Sequence, residues 1–152
     1  MRTNLTIAVL GAGNVGGALG RLWASAGHEV RFGVPHPRGE RVVAAVAAMP
    51  GRVRAHLNAE AVSPSDVVAL CVPWPAAEDA IRSSGDLDGK ILIDCTNPRA
   101  PDLNGLTVGL ATSAAELVAS WAPGAKVVKA FNTVGAAVFG NAQFGPQRAD
   151  GF

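Results

Sequence analysis

The sequence TIAVLGAGNVG, residues 6–16, decides the fold of this chain. Thr6 to Leu10 form a short apolar run that predicts a buried strand ending at a glycine. From Asn14 to Ala26, apolar residues recur at spacings of three and four, which predicts a helix. The glycines between the two elements form G-x-G-x-x-G in the strand-turn-helix setting that a dinucleotide-binding loop requires. We therefore expect an anion-binding turn at the start of this helix.

Each glycine of this loop has its own predicted task. Gly11 allows the tight turn off the strand, Gly13 lets a pyrophosphate approach the backbone, and Gly16 lets the helix pack close to the sheet. The backbone amides near Asn14 and Val15 would then face the anion at the positive end of the helix dipole. A glycine-rich turn without any ligand is the alternative interpretation.

The end of the next predicted strand, Glu29–Phe32, bears on which dinucleotide is bound. NAD sites usually place a carboxylate there, which binds the ribose 2′-hydroxyl. The residues that follow are Gly33-Val34-Pro35-His36-Pro37-Arg38, and none of them is acidic. A carboxylate would repel a 2′-phosphate, so NADP is expected in preference to NAD, with His36 and Arg38 nearest to that phosphate. A solvated basic loop without a ligand is the alternative.

Strands and helices alternate along the rest of the chain. Further strands are predicted at 53–57, 66–72, 91–94 and 127–130, and further helices at 40–49, 58–62, 75–81 and 113–121. Residues 67–72 are apolar without alternation, which indicates a strand buried on both faces of a parallel sheet. We predict a single Rossmann-type α/β domain over residues 1–152, with three layers and strand order 3-2-1-4-5-6. The segment 96–112 and the tail from about 141 are expected to be irregular.

Composition narrows the functional classes. The 152 residues include 13 basic and 12 acidic side chains, so the chain has no basic field for nucleic acid or an anionic membrane surface. Cys71 and Cys95 lack metal-ligand spacing and are expected to be buried free thiols, and no metal site is predicted. No apolar run is long enough to cross a membrane, and the first 26 residues lack the continuous apolar core of a signal peptide. The predicted location is the cytoplasm.

Several stretches together resemble a known family. Besides residues 7–16, they are Gly27-His28-Glu29-Val30, Val72-Pro73-Trp74, Asp94-Cys95-Thr96-Asn97-Pro98 and the sequence VVKAFNT at 127–133. They are similar to the NADPH-dependent reductases of the deazaflavin coenzyme F-420, whose fold also occurs in the amino-terminal domain of the STEAP-type metalloreductases. The resemblance spans residues 5 to about 135. The motifs after the fourth and sixth strands are more specific than the glycine pattern.

The resemblance implies cofactor contacts at the carboxyl ends of the strands. Val72, Pro73 and Trp74 would line the cleft beside the dinucleotide, although Trp74 as a simple cap on the sheet edge is an equal alternative. Ala130, Phe131 and Asn132 would lie near the nicotinamide. The full set of expected cofactor-binding residues is Gly11, Ala12, Gly13, Asn14, Val15, Gly16, Gly33, Val34, His36, Arg38, Val72, Pro73, Trp74, Asn97, Pro98, Ala130 and Asn132. No catalytic side chain is predicted, because the cofactors carry the chemistry of hydride transfer.

The implied function is that of an NADP-dependent oxidoreductase that moves hydride between NADP(H) and coenzyme F-420. Reduction of a flavin, or of ferric iron through a flavin, is one alternative, and a dinucleotide-binding module without turnover is another. Two departures from the family pattern stand out: Pro35 replaces an arginine that is often found there, and a closing strand and helix would be expected after Phe152. We therefore expect dinucleotide binding with weak or absent turnover of F-420, and a homodimer formed through the unpaired sheet edge.

Overall fold

Six parallel strands form the centre of the computed structural model, which describes residues 4–98, 112–139, 143–144 and 147–148. Their order across the sheet is β3-β2-β1-β4-β5-β6, and each neighbouring pair is parallel. The predicted doubly wound order is therefore confirmed. The strands are β1 (Thr6–Leu10), β2 (Glu29–Gly33), β3 (Arg52–His56), β4 (Val67–Leu70), β5 (Ile91–Asp94) and β6 (Lys126–Lys129).

Helices cover both faces of the sheet, as right-handed crossovers between parallel strands require. The α-helices are α1 (Asn14–Ser25), α2 (Glu40–Ala47), α3 (Asn58–Val62), α4 (Ala77–Arg82) and α5 (Ala114–Trp121). Two short 3-10 helices, Trp74–Ala76 and Ala136–Val138, follow β4 and β6. One apolar cluster joins the sheet to α1 and α2, and a second joins it to α3, α4 and α5. The predicted three-layer arrangement is thus present.

Strand β1 shows why its sequence lacks a polar face. Ala8 and Leu10 belong to the cluster beneath α3, α4 and α5, whereas Ile7 and Val9 belong to the cluster beneath α1 and α2. All four side chains are buried. Because successive residues of a strand point to opposite faces, a strand covered on both sides must be apolar throughout.

Helix α1 lies unusually close to the sheet at two glycines. A Cβ placed on Gly16 would lie 2.0 Å from the carbonyl oxygen of Gly11, and one placed on Gly20 would lie 2.4 Å from the ring of Phe32. The Phe32 side chain is fully buried, so it has little freedom to move aside. Glycine at these positions therefore allows α1 to pack closely against the glycine loop and β2.

The structure differs from the sequence predictions at several element ends. The strand predicted at 66–72 is shorter and ends at Leu70, although the Cys71 amide still donates to the Leu10 carbonyl at 2.9 Å. The helix predicted at 75–81 begins as the 3-10 helix Trp74–Ala76 and is α-helical only over Ala77–Arg82. The tail expected to be irregular contains an antiparallel pair, β7 (Gln143–Phe144) and β8 (Gln147–Arg148). Most of the irregular segment predicted at 96–112 lies outside the described residues.

Trp23 and Trp121 are only partly buried and contact other aromatic rings. Trp23 of α1 meets Phe131 edge-on at 6.4 Å between ring centroids, and Trp121 of α5 packs on Trp74 at 5.4 Å. Each side chain also packs against one of the two apolar clusters.

In the part of the chain that the structure describes, no helix has the length and apolar character needed to span a bilayer.

Candidate cofactor-binding site

The glycine loop, residues 11–16, connects the carboxyl end of β1 to the start of α1. Gly11 has a φ of +97°, a left-handed conformation that side chains rarely adopt, and its amide donates to the Gly33 carbonyl of β2 at 3.0 Å. A Cβ at Gly11 would also lie 2.9 Å from the Cys71 carbonyl oxygen. This glycine is therefore required by the turn itself and by the crowding from β4.

Gly13 differs from Gly11 and Gly16 because the fold does not require it. Its φ is −77°, which any residue adopts, and a Cβ there would have no heavy atom within 4 Å. Gly13 is the N-cap of α1, yet no side chain caps the helix and its first turn carries no acidic residue. The loop thus leaves uncapped amides beside open space, and this cradle suits an anion such as a pyrophosphate.

An open cavity of about 590 Å³ lies beyond the loop, at the ends of β2 and β3. Its walls come from two segments of the chain, one after β2 and the other spanning the end of β3 and the start of α3. The lining residues are Pro35, His36, Pro37, Arg38, Gly39, Ala55, His56, Leu57 and Glu60. The structure therefore brings His36 and Arg38 into one cavity, next to Gly33 and Val34 at the end of β2.

Two ionisable residues of this cavity, His56 and Glu60, were not among the site residues predicted from the sequence. His56 lies beside Gly33 in the β2–β3 register, and its carbonyl accepts from the Val34 amide at 3.0 Å. Glu60 brings a carboxylate to the cavity from α3, although residues 33–38 at the end of β2 include no acidic residue. Its Oε2 accepts from the Leu57 amide at 3.2 Å, which helps to cap α3. Because the N-cap residue is Leu57, whose side chain cannot accept a hydrogen bond, the sequence contains no capping-box pattern that could have located Glu60.

The His56 imidazole is held in its neutral form. Burial lowers its pKa, and the positive charge of Arg31 lowers it further, with a smaller contribution from Arg54. The carboxylates of Glu60 and Glu29 act in the opposite direction but do not outweigh these effects. Within the described ranges, the His56 Nε2 is buried without a hydrogen-bond partner. Protonation of this ring would add a second charge beside Arg31.

The three predicted cofactor-binding residues after β4 differ in how far they are buried. Val72 is half-buried, Pro73 is exposed, and Trp74 stacks at a tilt on Trp121 while packing against the cluster beneath α3, α4 and α5. The packing of Trp74 supports its predicted alternative role as a cap on the sheet edge. All three residues follow the carboxyl end of β4, and the Val72 side chain lies beside the glycine loop, 3.0 Å from a Cβ placed on Gly11.

The segments that follow β5 and β6 are joined by several hydrogen bonds. The Asn97 Nδ2 donates to the Asn132 carbonyl at 2.8 Å, and the Ala130 amide donates to the Asp94 carbonyl at 3.1 Å. Asn97 is exposed, whereas Pro98, Ala130 and Asn132 are partly buried. The structure thus brings the predicted residues of the fifth and sixth strands together at one end of the sheet.

The turn after β6 is strained at Phe131, which has a φ of +66°. A left-handed backbone is unfavourable for a bulky residue and persists only where the surroundings fix it. The Phe131 ring lies edge-on to Trp23 of α1 and to Phe139, at centroid distances of 6.4 and 5.6 Å. These aromatic contacts attach the turn after β6 to the helix that follows the glycine loop.

A buried ion pair lies beneath these segments, and sequence reasoning did not find it. Asp94 is fully buried and accepts hydrogen bonds from the Thr96 amide at 2.9 Å, the Thr96 hydroxyl at 2.7 Å and the Lys129 ammonium at 2.8 Å. The Lys129 ammonium also donates to the Thr96 carbonyl. All the charge on Asp94 is therefore compensated by groups on β6 and on its own turn.

Cys71 and Cys95 are buried free thiols, as predicted. They lie at the ends of neighbouring strands, and a Cβ on Gly16 would come within 3.1 Å of the Cys71 Cβ. A hydrogen bond with Cys95, together with burial, raises the pKa of the Cys71 thiol well above its ordinary value. Among the described residues, no three His, Cys, Asp or Glu side chains are grouped as metal ligands would be.

Comparison with known proteins finds one family model and several solved structures that are similar to this chain. Residues 6–98, more than half of the chain, match the family described as NADP oxidoreductase, coenzyme F-420-dependent. A crystal structure from Arthrobacter sp. FB24, proposed to be an F-420-dependent NADP-reductase, has 28% identity and a TM-score of 0.80. That match covers 88% of this chain and 65% of the Arthrobacter protein.

Two further structures extend the comparison. A hypothetical protein from Sinorhizobium meliloti has 30% identity and a TM-score of 0.75, over 91% of this chain and 66% of that protein. This chain therefore spans just under two thirds of the length of both bacterial proteins. An imine reductase from Myxococcus stipitatus, solved with NAD+, shares the fold with a TM-score of 0.65 at 20% identity, over 92% and 44% of the two chains.

The lowered pKa of His56 predicts a pH-dependent loss of stability. The unfolded chain binds the His56 proton below about pH 6.5, whereas the folded protein binds it only at lower pH. The stability contributed by this group is therefore full above about pH 6.5 and falls as the pH is lowered. We expect His56→Gln to reduce the pH dependence of the free energy of unfolding, measured by urea denaturation between about pH 8 and pH 5.

His36→Gln is the matched control, because His36 lies in the same cavity but its side chain is exposed. It should keep the wild-type pH dependence. If the free energy of unfolding changed equally with pH in the wild type and in His56→Gln, the effect could not be assigned to His56.

Proposed function

This chain belongs to the coenzyme F-420-dependent NADP oxidoreductase family, and we propose that it binds NADP(H) and transfers hydride between NADP(H) and a deazaflavin of the F-420 type. The observation that carries the proposal is the cradle at the start of α1. Uncapped amides there face the open space beside Gly13, where any side chain would occupy the position of the pyrophosphate. In a chain with a net charge of only +1, such local geometry must provide the anion site.

The cavity at the ends of β2 and β3 would hold the adenosine end of the dinucleotide. Arg38 and His36 supply hydrogen-bond donors there, and a guanidinium binds a phosphate bidentately. The Glu60 carboxylate opposes an anion, but one of its oxygens already accepts from the Leu57 amide. We therefore assign the preference for NADP over NAD to Arg38, which takes the place of the arginine absent at Pro35.

The nicotinamide end would lie at the carboxyl ends of β4, β5 and β6. Ligands of doubly wound sheets bind in this position, outside the ends of the strands. The protein groups available there are Val72, Pro73, Asn97, Pro98, Ala130 and Asn132. When bound, the reduced nicotinamide supplies a hydride, and the deazaflavin takes up that hydride together with one proton from solvent. The role of the protein is to bind and orient the two ring systems.

The homodimer, the cytoplasmic location and the weak or absent turnover of F-420 expected from the sequence stay predictions. Each is open to direct measurement on the purified protein, by light scattering, fractionation and steady-state kinetics respectively.

Gly13→Val is expected to weaken NADPH binding without unfolding the protein. The new side chain would enter the open space beside the uncapped amides, while its backbone keeps an ordinary φ. We expect the dissociation constant for NADPH, measured by fluorescence titration, to rise by at least about tenfold, or about 1.4 kcal/mol. Circular dichroism should show an unchanged fold. Gly17→Ala is the control, because its Cβ would meet only the Ala12 carbonyl, at 3.9 Å, and binding should be retained. Unaltered affinity in folded Gly13→Val would refute the cradle.

The presence of Arg38 in the cavity at the ends of β2 and β3 predicts different affinities for NADPH and NADH. The wild-type protein should bind NADPH more tightly than NADH, because Arg38 forms a charge-assisted hydrogen bond with the 2′-phosphate. Arg38→Ala should lower the affinity for NADPH by about 1.5–3 kcal/mol at most and leave the affinity for NADH unchanged. Arg41→Ala serves as a control, since Arg41 is an exposed arginine on α2 outside the lining of the cavity. Equal wild-type affinities for NADPH and NADH would overturn the proposed NADP preference.

The hydride acceptor is tested by mixing the protein with NADPH and one acceptor at a time. We expect loss of deazaflavin absorbance with coenzyme F-420, because the family match supports this acceptor. A free flavin, and ferric iron with a flavin, form the comparison arms. Reduction only in a flavin arm would replace F-420 by a flavin as the proposed acceptor. Tight NADPH binding without reduction in any arm would indicate a dinucleotide-binding module.

A further inference from the structure

We propose that the buried pair Asp94–Lys129, together with Thr96, is a positioning unit that holds Asn97 and Asn132 in place to bind the carboxamide of a nicotinamide. This inference rests on the proposed function, because it concerns the nicotinamide end of the same cofactor. It assigns a role to three residues that neither the glycine loop nor the adenosine cavity uses.

The hydrogen bonds of Lys129 fix the backbone immediately before Asn97. Its ammonium donates to the Asp94 carboxylate at 2.8 Å and also to the Thr96 carbonyl, one residue before Asn97. The Thr96 amide and hydroxyl donate to the other oxygen of Asp94, at 2.9 and 2.7 Å. The chain between β5 and Asn97 therefore forms a tight turn. Lys129 of β6 bonds to both ends of that turn, at the Asp94 carboxylate and at the Thr96 carbonyl.

Burial makes this arrangement rigid. Asp94 is fully buried, and the Lys129 side chain is 27% exposed. A buried carboxylate needs all of its donors, so displacement of any one of them is unfavourable. A well-packed apolar pair would contribute at least as much to stability, and retention of an ion pair here is better explained by orientation. The pair fixes the direction of the backbone at Thr96, which non-directional apolar contacts would define less well.

The two asparagines form a bridge over the buried pair. Asn97 is exposed, and its Nδ2 donates to the Asn132 carbonyl at 2.8 Å, which links the segment after β5 to the segment after β6. A side-chain amide has two donor hydrogens and an acceptor oxygen, so this bond uses only part of its capacity. A primary carboxamide also offers both donors and an acceptor, and it is the matching ligand for such a group.

The turn between Lys129 and Asn132 supports the same assignment. Phe131 adopts a left-handed backbone, and its ring is fixed against Trp23 of α1 and against Phe139. Strain of this kind is found where a structure holds a group in one functional position. Asn132 thus directly follows a residue whose ring contacts Trp23 of α1, and its own carbonyl accepts from the Asn97 side chain.

The experiment compares two ligands that differ in the nicotinamide. NADPH contains it, whereas 2′,5′-ADP has only the adenosine end with its 2′-phosphate. Lys129→Met and Asn97→Ala should each raise the dissociation constant for NADPH by about tenfold, as expected for the loss of about one hydrogen bond. Both variants should bind 2′,5′-ADP with wild-type affinity. A purely structural role for Lys129 would weaken both ligands together.

Lys90→Met is the matched control for the lysine substitution. The Lys90 ammonium also bonds backbone carbonyls, those of Ser63 and Ser65 at 3.3 and 2.9 Å, but it precedes β5 and lies at the opposite end of the sheet. This variant should bind both ligands normally. If Lys129→Met does not fold, Thr96→Val removes one donor to Asp94 while keeping the ion pair, and it should show the same selective loss on a smaller scale.

The outcomes separate this inference from the function on which it rests. Selective loss of NADPH affinity in Asn97→Ala and in Lys129→Met or Thr96→Val supports the positioning unit. Equal weakening of both ligands, or wild-type NADPH affinity in folded variants, overturns it while leaving the NADP site intact. Failure of the wild-type protein to bind either ligand would instead refute the proposed NADP site, and the inference with it.

Discussion

The contact between the start of α1 and the loop that precedes it constrains much of this molecule. The space between them leaves no room for even a methyl group, since a Cβ on Gly16 would overlap the Gly11 carbonyl. This contact brings the uncapped amides of α1 to the carboxyl end of β1, in the middle of the sheet. The same two glycines thus serve the packing of the core and the shape of the anion cradle, whereas Gly13 serves the cradle alone.

The two ends of the proposed cofactor site are built on different physical principles. The adenosine end is an open cavity lined by exposed side chains of both signs, so its selectivity depends on individual charges such as Arg38 and Glu60. The nicotinamide end rests on Asp94, which is buried and fully hydrogen-bonded. Exposed charges are screened by solvent and rearrange easily, whereas a buried, satisfied ion pair does not. Orientation is needed most at the reacting end, and the more rigid construction lies there.

The sequence was sufficient for the fold because its signals are local. A strand, a glycine turn and an amphipathic helix can each be recognised within a dozen residues, and their alternation implies the strand order. The Asp94–Lys129 pair could not be found in this way, since its partners are 35 residues apart and meet only through the β5–β6 register. The same limit applies to His56 and Glu60, which reach the cavity from β3 and α3. The β7–β8 pair was missed because two-residue strands have no periodicity to detect.

The side chain of Cys71 lies beneath the glycine loop, so its charge would affect any anion bound there. Cys71 follows β4 directly below the glycine loop, where the close approach of Gly16 favours a small side chain. A thiolate at this position would repel the pyrophosphate of the proposed cofactor. The hydrogen bond with Cys95 and the burial of both side chains raise the pKa of Cys71, so the thiol stays neutral at physiological pH. The Cys71 side chain therefore fills the space beneath the loop without placing a negative charge there.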